Sequence, residues 1–329
     1  MKINFIKACL AVFCVILVMS CSKSEVEPNA ATPTGTTPVG RDANLPQDLQ
    51  ISGCVLNDFS FDLSSVAGGL SQGFTYTYDD LKRIKTVQGK FADGNKTAIS
   101  YVYDKGKIST SFDRPLSAGQ GFKGKSVMTL DDKNRIAECV VNVTYYFAGG
   151  ENSFDVKTTY KYDASGYLIE NYEEQSTGGK IISKNTTKYT WTAGNLEKAE
   201  VTYGISNNTT KSQITTYSYD TSKENGTWDG GTAGNSSPYH FLQAGYIGKG
   251  NKNMLTKIVQ ITREISTLPI LPFDYSLNTT TAYTYTYDAK GYPNTIKGDT
   301  DVKVTGNLPL GINIPSTVAT FTGKIAYKC

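Results

Sequence analysis

One histidine in 329 residues, His240, sets the first limit on what this chain can catalyse. It stands in "SSPYHFLQAGY", with no HExxH, no GxSxG and no Cys/His pairing around it, so neither a zinc protease nor a nucleophile–histidine hydrolase has its parts. The plentiful acid/base groups are carboxylates, and a hydrolase built on two of them is the enzyme class the composition allows. Glu170, Glu173 and Glu174 share one hairpin arm, but no spacing picks out a pair, and no catalytic residue is assigned. No CxxC or Cys/His cluster suggests zinc, so neither a metal nor another cofactor is implied.

Residues suited to binding fall in three places. The longest connection, 221–253, carries Trp228, His240, Phe241 and Tyr246 among glycines and reads either as a plug over the sheet or as a satellite aromatic core. Two proline-stiffened apolar loops, "LPILPF" with Leu268 and Phe273 and "LPLGINIP" with Leu308 and Ile314, either form a contact surface for a partner or acyl chain or fold back to seal that rim.

The elements that must position these residues are strands. "TYTYDD", "SYVYDKGK", "TYKYDASGY", "TYSYD" and "TYTYDAKGY" repeat one idea. Tyrosine and threonine alternate on a pleated surface. An aspartate then opens a tight turn by accepting backbone hydrogen bonds, and a glycine or asparagine supplies a left-handed residue. Gly166, Asn134 and Asn195 are placed in that role. The copy at Tyr219 and Asp220 is degenerate. Counting alternating runs gives about fifteen strands. Two strands separate successive tips, so all tips fall at one end of the sheet and the longer connections at the other, the asymmetry of outer-membrane barrels.

The N-terminus supplies an address. "MKINFIKACLAVFCVILVMSC" has early lysines, an apolar run too short to span a bilayer comfortably, and a small residue before Cys21. Residues 1–20 read as a signal peptide and 21–44 as a tether rich in Thr, Pro, Gly and Ala, leaving 45–329 as a single β-domain. The formal net charge of +3 falls to +1 once Lys2 and Lys7 leave with the signal, and that near balance argues against a nucleic-acid or polyanion footprint. Of the six cysteines, Cys54, Cys139 and Cys329 remain after Cys9, Cys14 and Cys21 are set aside. Cys54 and Cys329 either bridge the ends of the domain or stay as buried thiols.

"VMSC" resembles the lipobox of bacterial lipoproteins, which implies acyl chains on Cys21 and a membrane anchor. "CSKSEVE" resembles the export pattern of surface lipoproteins in Bacteroides-type bacteria. The tips resemble the YD repeats of Rhs-type proteins, though more widely spaced than that regular unit, so long hairpins are expected and no spiral cage. With "YTWTAGNLEKAEV" and "GYIGKGNKNML" added, most of the chain resembles a lipoprotein family of unknown function with a porin-like fold. Strands such as "KTTYKY" and "QITTYSY" put Thr, Gln and Lys where a lipid-facing band would be aliphatic. The expectation is therefore all-β: a large antiparallel meander forming a curved, partly closed or porin-like barrel, lipid-anchored at the outer membrane and facing the cell surface or periplasm. Its function is expected to be non-enzymatic binding of a glycan, lipid or protein, with a carboxylate hydrolase or a purely structural envelope component as alternatives.

Overall fold

The computed structural model describes Leu45 and residues 55–63, 70–91, 94–115, 120–204, 209–225, 242, 245–267, 272–308 and 315–328. The signal, Cys21, the tether, Cys54 and Cys329 lie outside these residues. Sixteen strands follow one another along the chain. They are β1 (Val55–Leu63), β2 (Leu70–Tyr78), β3 (Ile84–Phe91), β4 (Lys96–Asp104), β5 (Lys107–Pro115), β6 (Gly121–Leu130), β7 (Ile136–Phe147) and β8 (Gly150–Tyr162), then β9 (Leu168–Thr177), β10 (Lys180–Thr192), β11 (Asn195–Gly204), β12 (Thr209–Glu224), β13 (Asn253–Ser266), β14 (Phe273–Tyr287), β15 (Pro293–Asn307) and β16 (Thr317–Lys328).

Each strand pairs antiparallel with its sequence neighbours, and β1 pairs with β16 from Val55↔Lys328 to Asp62↔Thr322, closing the sheet into a barrel. Closure is complete where the sequence left a partly closed wall open as an option. It satisfies both edges that an open meander would expose.

The tips at one end are built as their residue types dictate. Asp79, Asp131 and Asp288 each accept two backbone N–H groups through Oδ1, from Leu81 and Arg83, Lys133 and Arg135, and Lys290 and Tyr292, while Asp163 accepts one from Tyr167. The residue before the last turn position is left-handed in all four: Lys82, Asn134, Gly166 and Gly291. Asn195 is a correction. At the Trp191 hairpin the positive φ values fall on Ala193 (52°) and Gly194 (84°), and Asn195 opens β11 as a buried strand residue. A two-residue turn uses its two central positions this way, one step earlier than the longer tips.

The recurrent aromatics have a second task. Before each of several tips, a hydroxyl or indole N–H donates to the carbonyl just after the preceding tip or strand start. Tyr103 bonds Ile84 O (2.9 Å), Tyr162 Ile136 O (2.8 Å), Trp191 Leu168 O (2.7 Å), Tyr219 Leu196 O (2.8 Å) and Tyr285 Leu255 O (2.8 Å), and Tyr78 does the same to Leu56 O. The bonds link neighbouring strands at the tip end, where the ladder is about to stop. Arg83 and Arg135 stack on Tyr103 and Tyr162 at 4.3 and 4.2 Å while pairing with Asp79 and Asp131, so each long tip is also tied to the next hairpin.

Alternation along β4, Lys96 out, Thr97 in, Ala98 out, Ile99 in, sets the two faces. The inner faces of β1–β7 and β13–β16 merge into one apolar core that includes Phe59, Phe74, Ile108, Met128, Val143, Ile258, Ile296 and Phe321. Aromatic rings lie over cross-strand glycines here: Phe74 opposite Gly89, Phe112 opposite Gly124 and Phe321 opposite Gly298. A Cβ on Gly298 would sit 2.1 Å from the Phe321 ring, so the ring occupies the space a side chain would take. The outer face is charged along its length, with ion pairs such as Lys157–Glu138, Lys184–Glu174 and Arg263–Asp274 between strands. Apolar residues on it are few, some single like Val318 and some in cross-strand pairs, Val127 with Val140 and Ile214 with Ile261, and they form no continuous band among the described residues. A membrane-spanning barrel has the reverse polarity, with an apolar band outside. This wall faces water.

Candidate functional site

The interior changes character from β9 to β14. Register places one row of inward side chains across six consecutive strands: Glu173 opposite Asn185, Asn185 opposite Tyr203, Lys211 opposite Glu264, and Glu264 opposite Tyr275. Lys211 Nζ lies 5.0 Å from the Tyr203 ring and joins the two halves of the row. The next row toward the tips adds Asn171, Thr187, Gln213 and Thr262. Every member of the first row is half-buried, unlike the sealed aliphatics of the opposite wall.

The belt is internally bonded but only loosely. Tyr275 OH donates to Glu264 Oε2 at 2.8 Å, while Asn185 Nδ2 to Glu173 Oε1 (3.3 Å), Tyr203 OH to Gln213 Oε1 (3.4 Å) and Thr262 Oγ1 to Gln213 Oε1 (3.4 Å) are long. Burial, then the nearby charges of Glu173 and Glu264, raise the Tyr203 hydroxyl above its ordinary value. Burial, with the bond to Glu264, pushes Tyr275 up to about 12. Both phenols are thus protonated donors at neutral pH, set among amide and carboxylate acceptors. Planar amides, carboxylates, phenols and ring faces together match the hydroxyls and C–H faces of a sugar better than the chain of a lipid.

The tip end is covered by the last residues of the long connection, from Gly245 to Asn253. Tyr246 is fully buried, its ring 5.9 Å from Tyr103, and its carbonyl accepts Ile136 N–H at 2.7 Å. Lys249 N–H donates to Gly166 O and Lys252 N–H to Gly194 O, so the segment crosses successive hairpin tips by backbone bonds. Asn251 Oδ1 accepts Leu196 N–H, and Asn195 and Asn253 bond reciprocally, Asn253 N–H to Asn195 Oδ1 and Asn195 Nδ2 to Asn253 Oδ1, both at 2.9 Å. Residues 245–253 of "GYIGKGNKNML" therefore cap the hairpin tips.

Of the candidates read from sequence, Trp228, His240, Phe241, Leu268 and Ile314 lie outside the described residues. Tyr246 is placed in the core. Phe273 opens β14 on the inner face, its ring 5.8 Å from Tyr275, and so sits beside the belt. Leu308 is half-buried just past β15. Of the acids on β9, Glu170 and Glu174 turn outward to pair with Lys161 and Lys184, and Glu173 alone turns inward. Asn185, Tyr203, Lys211, Gln213, Glu264 and Tyr275 were not singled out by sequence. Their signal was present in β9 to β12, where "LIENYEEQST" and "KIISKNTTKYTWT" are polar at both parities, as a strand wetted on both faces must be. Among the described residues no cluster of His, Cys, Asp and Glu could hold a metal ion. Cys139 is a buried thiol, its pKa pushed up to about 12 by burial and then by Glu138 and Glu173, so it is inert as a nucleophile.

No protein-family model and no curated protein matches the chain. Two solved structures share its architecture. A porin-like protein from Bacteroides uniformis ATCC 8492 aligns with a TM-score of 0.51 at 14% identity, covering 83% of this chain and 98% of that one. A porin-like protein from Bacteroides vulgatus ATCC 8482 aligns with a TM-score of 0.51 at 15% identity, with the same coverage. The likeness is one of fold: a closed antiparallel β-barrel.

Proposed function

We propose that this protein is a non-enzymatic barrel of the bacterial envelope, carried on acyl chains at Cys21, that takes a glycan into the polar side of its interior. The inward row Glu173, Asn185, Tyr203, Lys211, Glu264 and Tyr275 carries the reading. The side of the barrel made by β1–β7 and β13–β16 is filled with aliphatic and aromatic side chains, and the polar side is lined by hydrogen-bonding groups, three of whose mutual bonds are long. Such groups exchange partners for a ligand's hydroxyls at little cost. The "VMSC" motif and the tether support display at the outer membrane, and the water-facing outer wall supports attachment by lipid instead of insertion of the barrel.

Calorimetric titration of the purified chain against a panel of neutral oligosaccharides tests this. Expected is binding in the micromolar to millimolar range, roughly −4 to −8 kcal/mol. Asn185→Ala or Tyr203→Phe should weaken it about five- to tenfold, each removing one polar contact, with the thermal midpoint held near that of the parent. A panel that gives no heat, or variants that bind like the parent, would refute the site.

A hydrolase is the second reading, favoured by one observation: Glu173 and Glu264 are two carboxylates of the same inward row, and both raise the Tyr203 hydroxyl. It requires release of reducing ends from a bound polymer, abolished in Glu173→Gln or Glu264→Gln. Binding without turnover in the parent sets it aside.

A further inference from the structure

We propose a second binding site, for an acidic polysaccharide, on the outer wall. Two adjoining depressions of about 670 and 770 Å³ share Gln88, Ala98 and Asp113 and form one groove that crosses the outer faces of β1 to β7. Lys90, Lys96, Lys123 and Lys125 line it. Lys90 and Lys96 are direct cross-strand partners. Like charges in that position repel and destabilise a sheet unless something neutralises them.

Elsewhere the wall neutralises several of its cations. Lys157 meets Glu138 at 2.8 Å, Lys161 meets Glu170 at 2.6 Å and Arg263 meets Asp274 at 2.8 Å. Among the described residues Lys90, Lys96 and Lys125 make no ion pair. The groove's own acids are already engaged: Asp58 accepts Thr75 Oγ1 at 2.7 Å, and Asp113 accepts the Tyr146 hydroxyl at 3.3 Å and stands opposite Lys123. An anionic group seated between Lys90 and Lys96 turns a repulsive pair into two charge-assisted hydrogen bonds.

The layout favours a polymer over a single small anion. Lys125 lies two strands and four register positions from Lys96, roughly 15 Å by strand spacing and rise. The cations therefore address charges spread along an extended chain. Ser100 and Ser111, opposite each other, and Asn142, opposite Lys125, supply uncharged bonding groups for the hydroxyls between those charges. Gly73, opposite Lys90, leaves the floor open: a Cβ there would meet nothing nearer than Ser60 Cβ at 3.8 Å. The chain's near balance of charge overall makes this a local feature and not a general basic surface.

The test uses the purified full chain with heparin, polygalacturonate and uncharged dextran, beside vesicles of phosphatidylcholine with phosphatidylglycerol. Expected is salt-sensitive binding to at least one acidic polymer and none to dextran. Lys90→Gln with Lys96→Gln should weaken it about tenfold, the scale of a lost charged hydrogen bond. Gly73→Tyr should weaken it similarly by filling the floor. The double lysine variant should melt no earlier than the parent, which separates lost binding from lost folding. Failure to bind either acidic polymer, undiminished binding by both variants, or binding to the anionic vesicles alone would each overturn the proposal. Neutral-oligosaccharide binding in the interior is unaffected by these substitutions, so the two sites stand or fall separately.

Discussion

Raising the pH should unfold this barrel abruptly and by a specific mechanism. Burial raises the hydroxyl pKa values of Tyr76, Tyr78, Tyr103, Tyr160 and Tyr162 above the ordinary tyrosine value. Neighbouring phenols add to this for Tyr76, Tyr103 and Tyr160, while Arg83 and Arg135 pull Tyr103 and Tyr162 part of the way back. In the unfolded chain each titrates near about 10. A folded value above the unfolded one means the stabilisation is whole below about pH 10 and is lost as pH climbs from there toward the folded values. Each such tyrosine then removes about 1.4 kcal/mol per pH unit, so five together remove roughly 7 kcal/mol per unit. Against a stability of about 5–15 kcal/mol, cooperative loss of structure is expected about one to two units above the tyrosine value. The exposed phenols should titrate first, and the tyrosinate absorbance of the buried ones should then rise together with the loss of far-ultraviolet circular dichroism in one concerted step. Tyr103→Phe with Tyr162→Phe should flatten the dependence by about two protons, while costing about 1 kcal/mol at neutral pH for each bond lost to Ile84 O and Ile136 O. Titration of every phenol near pH 10 with the sheet intact would refute the reasoning, because it would require these hydroxyls to be open to water.

Two further tests address the wall and the cap. Gly298→Ala drives a methyl to 2.1 Å from the Phe321 ring and should lower stability in urea by about 1–3 kcal/mol, whereas Gly73→Ala makes only an ordinary contact with Ser60 Cβ at 3.8 Å and should leave the midpoint unchanged or raise it by up to about 1 kcal/mol. Asn253→Ala strands the buried Asn195 amide and frees the carbonyls of Thr221 and Lys223, so a loss of about 2–3 kcal/mol is expected, with faster hydrogen exchange at the amides of Lys249 and Lys252.

The tips were readable from sequence because their chemistry is local: Asp163, its acceptor oxygen and Gly166 lie within a few residues. Asn195 was misplaced by the same local logic, since turn length, which decides where the left-handed residue falls, depends on how β10 and β11 pair. Alternation in β4 gave two faces but not which one is the lumen, because that follows only from closure. The belt was hidden for this reason. Glu173 and Glu264 sit far apart in the chain, and only strand order brings both to the Tyr203 hydroxyl. The aromatic-over-glycine contacts, such as Phe321 on Gly298, are likewise products of register, invisible to any count of turns.

The seam between β1 and β16 has a consequence for biogenesis. Because Val55 finds its partner only in Lys328, the wall cannot close before β16 has been made and delivered. Until then both flanks of the growing ribbon expose unpaired amides and carbonyls, an invitation to intermolecular pairing. A cell making this protein therefore has to escort it as an incomplete strip, and a chain cut short before its last strand should aggregate where the full one folds.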